Sequence, residues 1–414
     1  MSEYSLAIVR LPDFVHFGAG SRASITPSVL RYGRRALLVC DPFLATTAEF
    51  EVAVTTLVAA GVQIETLTDV VPELPVWSIE QAAEAARSFA PDVVVGFGGG
   101  SALDLAKLIA LLLVHPGPLS AYYGENAVPG PVLPLIAVPT TAGTGSEVTP
   151  VAVVSDPERE LKVGVSSPYL IPRVAIVDPE LTFGAPAGVT AYSGIDAFVH
   201  AVEAFTSAQR TADFGAELPV FVGNNALSSL LALEAIRLIG GSLRRAVAEP
   251  GNIAARTEMS YGALLAGMAF GSAGTHLSHA LQYPIGALSK TPHGLGTGVM
   301  LPFVMQRAVV SSAPELARIA AALGVAESGR DEAEQAQAAV DAIAALVHDI
   351  GLPSRLGEIG ITHEQVGRIA ELSLSVKRLA ANSTLPADPE TFEQILVAAI
   401  SGDRDSLKPK VVPK

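Results

Sequence analysis

Between residue 34 and about residue 180, short β-branched runs alternate with alanine-rich amphipathic stretches: "RRALLVCD", "IEQAAEAARSFA", "PDVVVGFGGG", "SALDLAKLIALLLV", "PLIAVPTT", "VAIVDPEL". Runs this short suit strands and the longer stretches suit helices, so the pattern predicts βαβ units and a mostly parallel sheet. Beyond about residue 187 strands almost vanish. Segments such as "NNALSSLLALEAIRLIGGSLRRAVA" and "DEAEQAQAAVDAIAALVHDI" have helical periodicity. Pro and Gly interrupt both patterns in "DPELTFGAPAGVTAYSG", which places a boundary there. The expectation is an α/β domain over 1–185 and an all-α domain over 186–414.

A chain of 414 residues, half of them apolar and 16% charged, can bury two substantial cores. Its net charge of −14 argues against nucleic acid as a partner, because phosphates need basic surface. Cys40 is the one cysteine, so no intramolecular disulfide or multi-cysteine metal site can form, and a cytoplasmic setting is expected. The start "MSEYSLAIVRLPDF" lacks a signal-peptide pattern, and the densest apolar run, "LIALLLV", is too short to span a bilayer, so no membrane association is expected.

In "PDVVVGFGGGSALDLAK" an apolar strand runs into Gly96, Gly98, Gly99 and Gly100, then into a helix opened by Ser101. Such a turn lets backbone N–H groups and a helix N-terminus approach a phosphate. The third glycine of the common dinucleotide fingerprint is missing, since Ser101 stands there, and a purely structural turn is the alternative. A second loop, "AVPTTAGTGSEVTP", offers the hydroxyls of Thr140, Thr141, Thr144, Ser146 and Thr149. Asp41 ends the strand "RRALLVCD", where a carboxylate accepts from ribose hydroxyls and repels the extra phosphate of NADP, which favours NAD. Capping of the following turn is its other reading.

Three of the eight histidines, His276, His279 and His293, crowd into "GMAFGSAGTHLSHALQYPIGALSKTPHG". Asp196 and His200 in "GIDAFVHAVEAF" are four apart, hence on one helical face. His279 and His293 would lie roughly 21 Å apart in one unbroken helix. Pro284 with Gly286 is expected to end that helix, and Pro292 with Gly294 to shape a turn that brings His293 back. Imidazoles and a carboxylate without thiolate suit Fe²⁺ or Zn²⁺ in a catalytic site.

These blocks, with "GGGSALDLAK" and "VPTTAGTGSEVTP", closely resemble the iron-containing (group III) alcohol dehydrogenase family over most of residues 15 to 305. The resemblance implies a nucleotide-binding α/β domain followed by a helical metal domain, a dehydroquinate synthase-like plan. It implies Asp196, His200, His279 and His293 as metal ligands. It also implies that Asp41, Gly98, Gly99, Gly100, Ser101, Thr140, Thr141, Thr144 and Lys162 border the dinucleotide, and Asp104, Ser146 and Thr149 join them as cofactor-binding candidates. The implied activity is hydride transfer between a small alcohol, acidified by the ion, and a nicotinamide. In reverse it reduces an aldehyde. A homodimer or higher homo-oligomer is expected.

Many family members carry a further histidine where this chain has Tyr283, and His276 stands where several have a small or apolar residue. Both are catalytic candidates for proton transfer, with packing or support as the alternative at each. "THLSHALQYP" is also similar to the hydroxyacid–oxoacid transhydrogenase branch, which keeps its NAD bound and would act on a hydroxyacid. A dehydroquinate synthase-like lyase fits less well, because the candidate pocket segments are poor in Lys and Arg.

Overall fold

The computed structural model describes residues 6–159 and 161–409. They fall into two compact units: residues 10–185 with 215–220, and residues 186–214 with 6–9 and 221–409. Two short exchanges thus cross a single cut after residue 185. Residues 6–9 are tied to the helical unit, where the Ala226 N–H donates to the Leu6 carbonyl (3.0 Å) and the Ile8 N–H to Asn225 Oδ1 (3.2 Å). Residues 215–220 are tied to the α/β unit, where Arg10 Nη1 donates to the Val220 carbonyl (2.7 Å) and the Val220 N–H to Glu125 Oε2 (2.8 Å).

The α/β unit contains β1 (Phe14–Phe17), α1 (Ile25–Tyr32), β2 (Arg35–Val39), α2 (Ala48–Ala59), β3 (Gln63–Leu67), α3 (Val76–Arg87), β4 (Val93–Gly98) and α4 (Gly100–Val114). These are followed by β5 (Gly124–Glu125), β6 (Leu135–Pro139), β7 (Val151–Asp156), β8 (Leu161–Ser166) and β9 (Val174–Val177). Six strands pair in parallel in the order β1-β9-β6-β4-β2-β3. Alternate side chains enter opposite cores, as the strand period of two requires. Leu37, Val39 and Val94 pack with Ile79 of α3 and Leu105 and Ile109 of α4. Leu38, Val93 and Val95 face Val29 of α1 and Phe50 and Leu57 of α2. Sequence reading did not foresee the antiparallel hairpin of β7 and β8, which β5 extends into a second, three-stranded sheet.

The helical unit comprises α5 (Ala187–Thr206), α6 (Ala226–Ala248), α7 (Ile253–Ala273), α8 (Leu277–Ser289), α9 (His293–Arg307), α10 (Ala313–Ala322), α11 (Glu332–Asp349), α12 (Val366–Ser375), α13 (Lys377–Ala380) and α14 (Pro389–Ser401). α5 packs against α6, α7 and α9, and every residue from Gly194 to Thr206 is buried, as expected of a helix apolar on nearly all faces. Among the described residues α6 is long and apolar enough to cross a membrane. It packs along α5 and α7 with Ile236, Ile239 and Leu243 fully buried.

Pro284 and Gly286 do not end their helix. α8 continues to Ser289 and stops at Lys290, whose φ of 56° is left-handed. A proline removes one N–H donor from the ladder, and the first nine residues of α8 are all buried, so packing holds the helix through it. His293 likewise sits not in a turn but at the first position of α9, directly after Pro292.

Candidate active site

In the α/β unit, the chain passes from β2 to β3 on one side and from β4 to β6 on the other, so the strand order reverses between β2 and β4. Open parallel sheets bind ligands at the carboxyl ends of the strands at such a point. Asp41 follows β2 there, and its Oδ1 accepts the Leu44 N–H (3.0 Å), so it caps a short turn while Oδ2 faces Gly98. The glycine loop runs from β4 into α4, which opens at Gly100 rather than Ser101. A Cβ on Gly98 would stand 2.7 Å from the Ala102 Cβ, and one on Gly100 would stand 2.6 Å from Thr144 Cγ2. The threonine loop lies that close: Thr141 packs on Gly99, and the Thr140 N–H donates to the Gly98 carbonyl (3.0 Å).

Three of the expected cofactor-site residues, Asp104, Ser146 and Thr149, hydrogen-bond within the protein. Asp104 accepts from Ser146 Oγ (2.6 Å) and the Val153 N–H (2.9 Å), and Thr149 accepts from Lys107. Lys107, fully buried on α4, also donates to the carbonyls of Thr149 (3.0 Å) and Val151 (2.8 Å). Together these groups brace the threonine loop against α4 and β7. Lys162 on β8 is paired with Glu73. Sequence reading missed Lys107, because a lone lysine in a helix ordinarily reads as solvated.

Burial pushes the Lys107 ammonium down to about 8, and burial pushes the neighbouring Glu147 carboxyl up to about 7. From the usual 4.5 up to about 7, folded Glu147 keeps a proton that the unfolded chain has released, so stability should fall as pH rises. From about 8 up to the usual 10.5, the unfolded chain keeps a Lys107 proton that the folded chain has released, so stability should rise. Each contribution is on the order of 3 kcal/mol. Thermal midpoints across this range should dip near neutrality, with Glu147→Gln flattening the acid limb and Lys107→Met the alkaline one. Unchanged limbs in these variants would contradict the assignment.

In the helical unit, Asp196 and His200 project from one face of α5, His279 comes from α8 and His293 from the start of α9. Asp196, His279 and His293 offer ligand atoms within 4.8 Å of one another. Asp196 Oδ1 lies 3.9 Å from His279 Nε2 and 3.7 Å from His293 Nε2, while Oδ2 lies 3.9 Å from His200 Nε2. These spacings are too long for hydrogen bonds but shorter than the about 4.2 Å that separates two ligands opposed across one ion. His279 Nε2 is buried with no hydrogen-bond partner among the described residues. That orphaned nitrogen beside a carboxylate fits a metal ion. His200 is stacked between Phe270 (4.2 Å) and His279 (4.8 Å), which fixes its ring.

Burial opposes ionisation of Asp196, but His200, His293, His279 and the Thr297 hydroxyl together outweigh it and hold the carboxyl below its usual range. Thr297 on α9 donates to Asp196 Oδ1 (2.9 Å), tying the carboxylate to the helix that carries His293. Tyr283 lies on α8 one turn beyond His279, with its ring 6.2 Å from that of His293. His276 is not inside a helix but caps α8. Its Nδ1 accepts the Leu277 N–H (2.8 Å), and its Nε2 meets Thr206 Oγ1 at 2.9 Å. Both ring nitrogens are thus engaged by neighbouring groups.

Sequence reading missed Glu203. It is fully buried on α5, three residues after His200 and seven after Asp196, and it accepts from His279 Nδ1 (2.7 Å). The helical spacing was the available signal, since 196, 200 and 203 share a face.

The family model for iron-containing alcohol dehydrogenase matches residues 12–179, and that for the C-terminal region of the Fe-containing alcohol dehydrogenase family matches residues 190–400. The chain belongs to the iron-containing alcohol dehydrogenase family. It is 39% identical to long-chain-alcohol dehydrogenase 1 of Geobacillus thermodenitrificans, over 96% of this chain and 98% of that one. It is 34% identical to the sulfoacetaldehyde reductase of Bilophila wadsworthia, over 88% and 92% of the two chains. The crystal structure of a 1,3-propanediol oxidoreductase superposes with a TM-score of 0.89 at 32% identity, covering 95% of this chain and 100% of that one. As a member of this family the chain is an oxidoreductase acting on alcohols, in a family that is NAD-dependent and metal-binding. These relatives are alcohol dehydrogenases and aldehyde reductases, so the transhydrogenase reading of "THLSHALQYP" is not favoured.

Proposed function

We propose that this alcohol dehydrogenase uses NAD and a single Fe²⁺ or Zn²⁺ held by Asp196, His200, His279 and His293. The buried, unpartnered His279 Nε2 beside the Asp196 carboxylate carries this reading. A divalent ion there supplies Lewis acidity that lowers an alcohol's pKa from about 16 toward 7, roughly 12 kcal/mol. The chain's own part is to hold the donors in place: Thr297 anchors Asp196, Phe270 supports the His200 ring, and α9 begins at His293. Tyr283, beside His293, is the candidate for moving the alcohol proton. His276 positions the start of α8 instead.

For the dinucleotide, the Gly98–Ser101 turn at the N-terminus of α4 offers N–H groups to the pyrophosphate, bordered by Thr140, Thr141 and Thr144. Asp104, Ser146 and Thr149 act behind this loop as its brace, and Lys162 borders the site from β8. Asp41 selects NAD over NADP by repelling the extra phosphate. In Asp41→Gly the ratio of kcat/KM for NADP to that for NAD should rise about tenfold or more, the effect of removing a like-charge contact. An unchanged ratio would remove Asp41 from this role.

The substrate is a small alcohol or its aldehyde, and the protein works as a cytoplasmic homo-oligomer. Burial pushes the Cys40 thiol up to about 12, in keeping with an inert cysteine. The test is NADH formation by protein loaded with Fe²⁺ or Zn²⁺. Its substrate panel should include methanol, 1,3-propanediol, long-chain alcohols and a hydroxyacid, with light scattering for the assembly. Turnover without added NAD would instead support the transhydrogenase reading.

A further inference from the structure

Glu203 has no assigned role in the chemistry above, yet its carboxylate is fully buried and makes three hydrogen bonds. Oε1 accepts the Ser278 N–H (2.6 Å), and Oε2 accepts the His276 N–H (2.9 Å) and His279 Nδ1 (2.7 Å). Two of these donors belong to the start of α8, whose thirteen residues aim their dipole's positive end at the carboxylate. That placement makes a buried negative charge tolerable there. The Leu277 N–H is satisfied by the His276 ring, so this helix end is capped by one carboxylate and one imidazole.

The donor count fixes a proton. An ionised carboxylate only accepts, so the contact to His279 requires hydrogen on Nδ1. A neutral imidazole with hydrogen on Nδ1 has its bare lone pair on Nε2, the nitrogen left without a partner beside Asp196. His276 is locked in the opposite form: Thr206 donates its hydroxyl to the Val202 carbonyl (2.8 Å) and accepts from His276 Nε2. His276 and His279 therefore hold opposite tautomers, and of the two only His279, whose ring bonds Glu203, turns its Nε2 lone pair toward Asp196.

We infer that Glu203 is a positioning residue that sets the Nδ1–H tautomer and ring orientation of His279 for metal capture, an inference that rests on the metal reading proposed above. In Glu203→Gln the single amide oxygen cannot satisfy three donors, and the amide NH₂ favours an Nδ1 that accepts. The His279 proton then moves to Nε2. Loss of such an outer partner ordinarily weakens metal binding ten- to a hundredfold.

The test combines ¹⁵N NMR of the histidine rings in metal-free protein with Zn²⁺ affinity measured by chelator competition. The His279 signal is assigned as the one missing from His279→Asn. Wild type should show Nδ1–H at His279. Glu203→Gln should show Nε2–H and bind Zn²⁺ at least ten times more weakly. Thr206→Val, which disturbs only the His276 end of the cap, should lower the thermal midpoint while leaving the His279 tautomer and Zn²⁺ affinity as in wild type. Nε2–H at His279 in wild type overturns the inference even if Glu203→Gln does not fold. Equal Zn²⁺ affinity of wild type and Glu203→Gln overturns it alone, whereas no Zn²⁺ binding by wild type fails the metal reading and this inference with it.

Discussion

His279→Ala and His293→Ala should each bind NAD as the parent does while losing the metal and at least a thousandfold in kcat/KM. A metal's Lewis acidity stabilises charge by several kcal/mol, and each 1.4 kcal/mol is about tenfold in rate. The dinucleotide loops lie in the α/β unit and both histidines in the helical one, so cofactor affinity should be spared. The two variants should differ in stability. His279 is buried and bonded to Glu203, so its removal takes one donor from a buried carboxylate. The His293 side chain is about a quarter exposed at a helix start, so truncation there disturbs less packing. Metal content, NAD affinity, turnover and thermal midpoint, measured together, read all four effects. Full activity in either metal-depleted variant would remove the mechanism.

Gly294→Ala should lose metal without touching a ligand. A Cβ at this position would stand 2.0 Å from the Tyr192 carbonyl oxygen and 3.0 Å from the Asp196 Cβ. The first obstacle is backbone, so no side-chain rotation relieves it, and α9 must move away from α5. That movement separates His293 from Asp196 and strains the Thr297 bond. Overpacking of this kind ordinarily costs about 1–3 kcal/mol, more than the up to about 1 kcal/mol that alanine gains over glycine in a helix. Gly184→Ala is the control, since nothing lies within 4 Å of a Cβ there. A lower thermal midpoint with metal content well below parent is expected for Gly294→Ala alone. Parent-like values would show that the two helices separate without consequence.

The parallel strands β2, β4, β6 and β9 were legible because each is a compact apolar run, whereas β1 (FVHF) and β3 (QIETL) carry polar residues that hid them, and Asp196 with His200 was legible because a four-residue spacing on a helix needs no tertiary knowledge. Pro284 misled for a physical reason: local chain chemistry favours a stop, but the burial of α8 overrides it. Glu203 was hidden because an acidic residue in a helix usually faces water, and its partners lie more than seventy residues away. Lys107 was hidden likewise, its acceptors contributed by a loop some forty residues on. Residues 6–9 and 215–220 exchange units through hydrogen bonds to segments about two hundred and about a hundred residues distant, which leave no local pattern.

Anomalous diffraction at the iron or zinc edge from crystals of metal-loaded protein tests the central claim most directly. One peak is predicted, contacted by Asp196, His200, His279 and His293. No peak among these side chains, or one contacted by other residues, would contradict it.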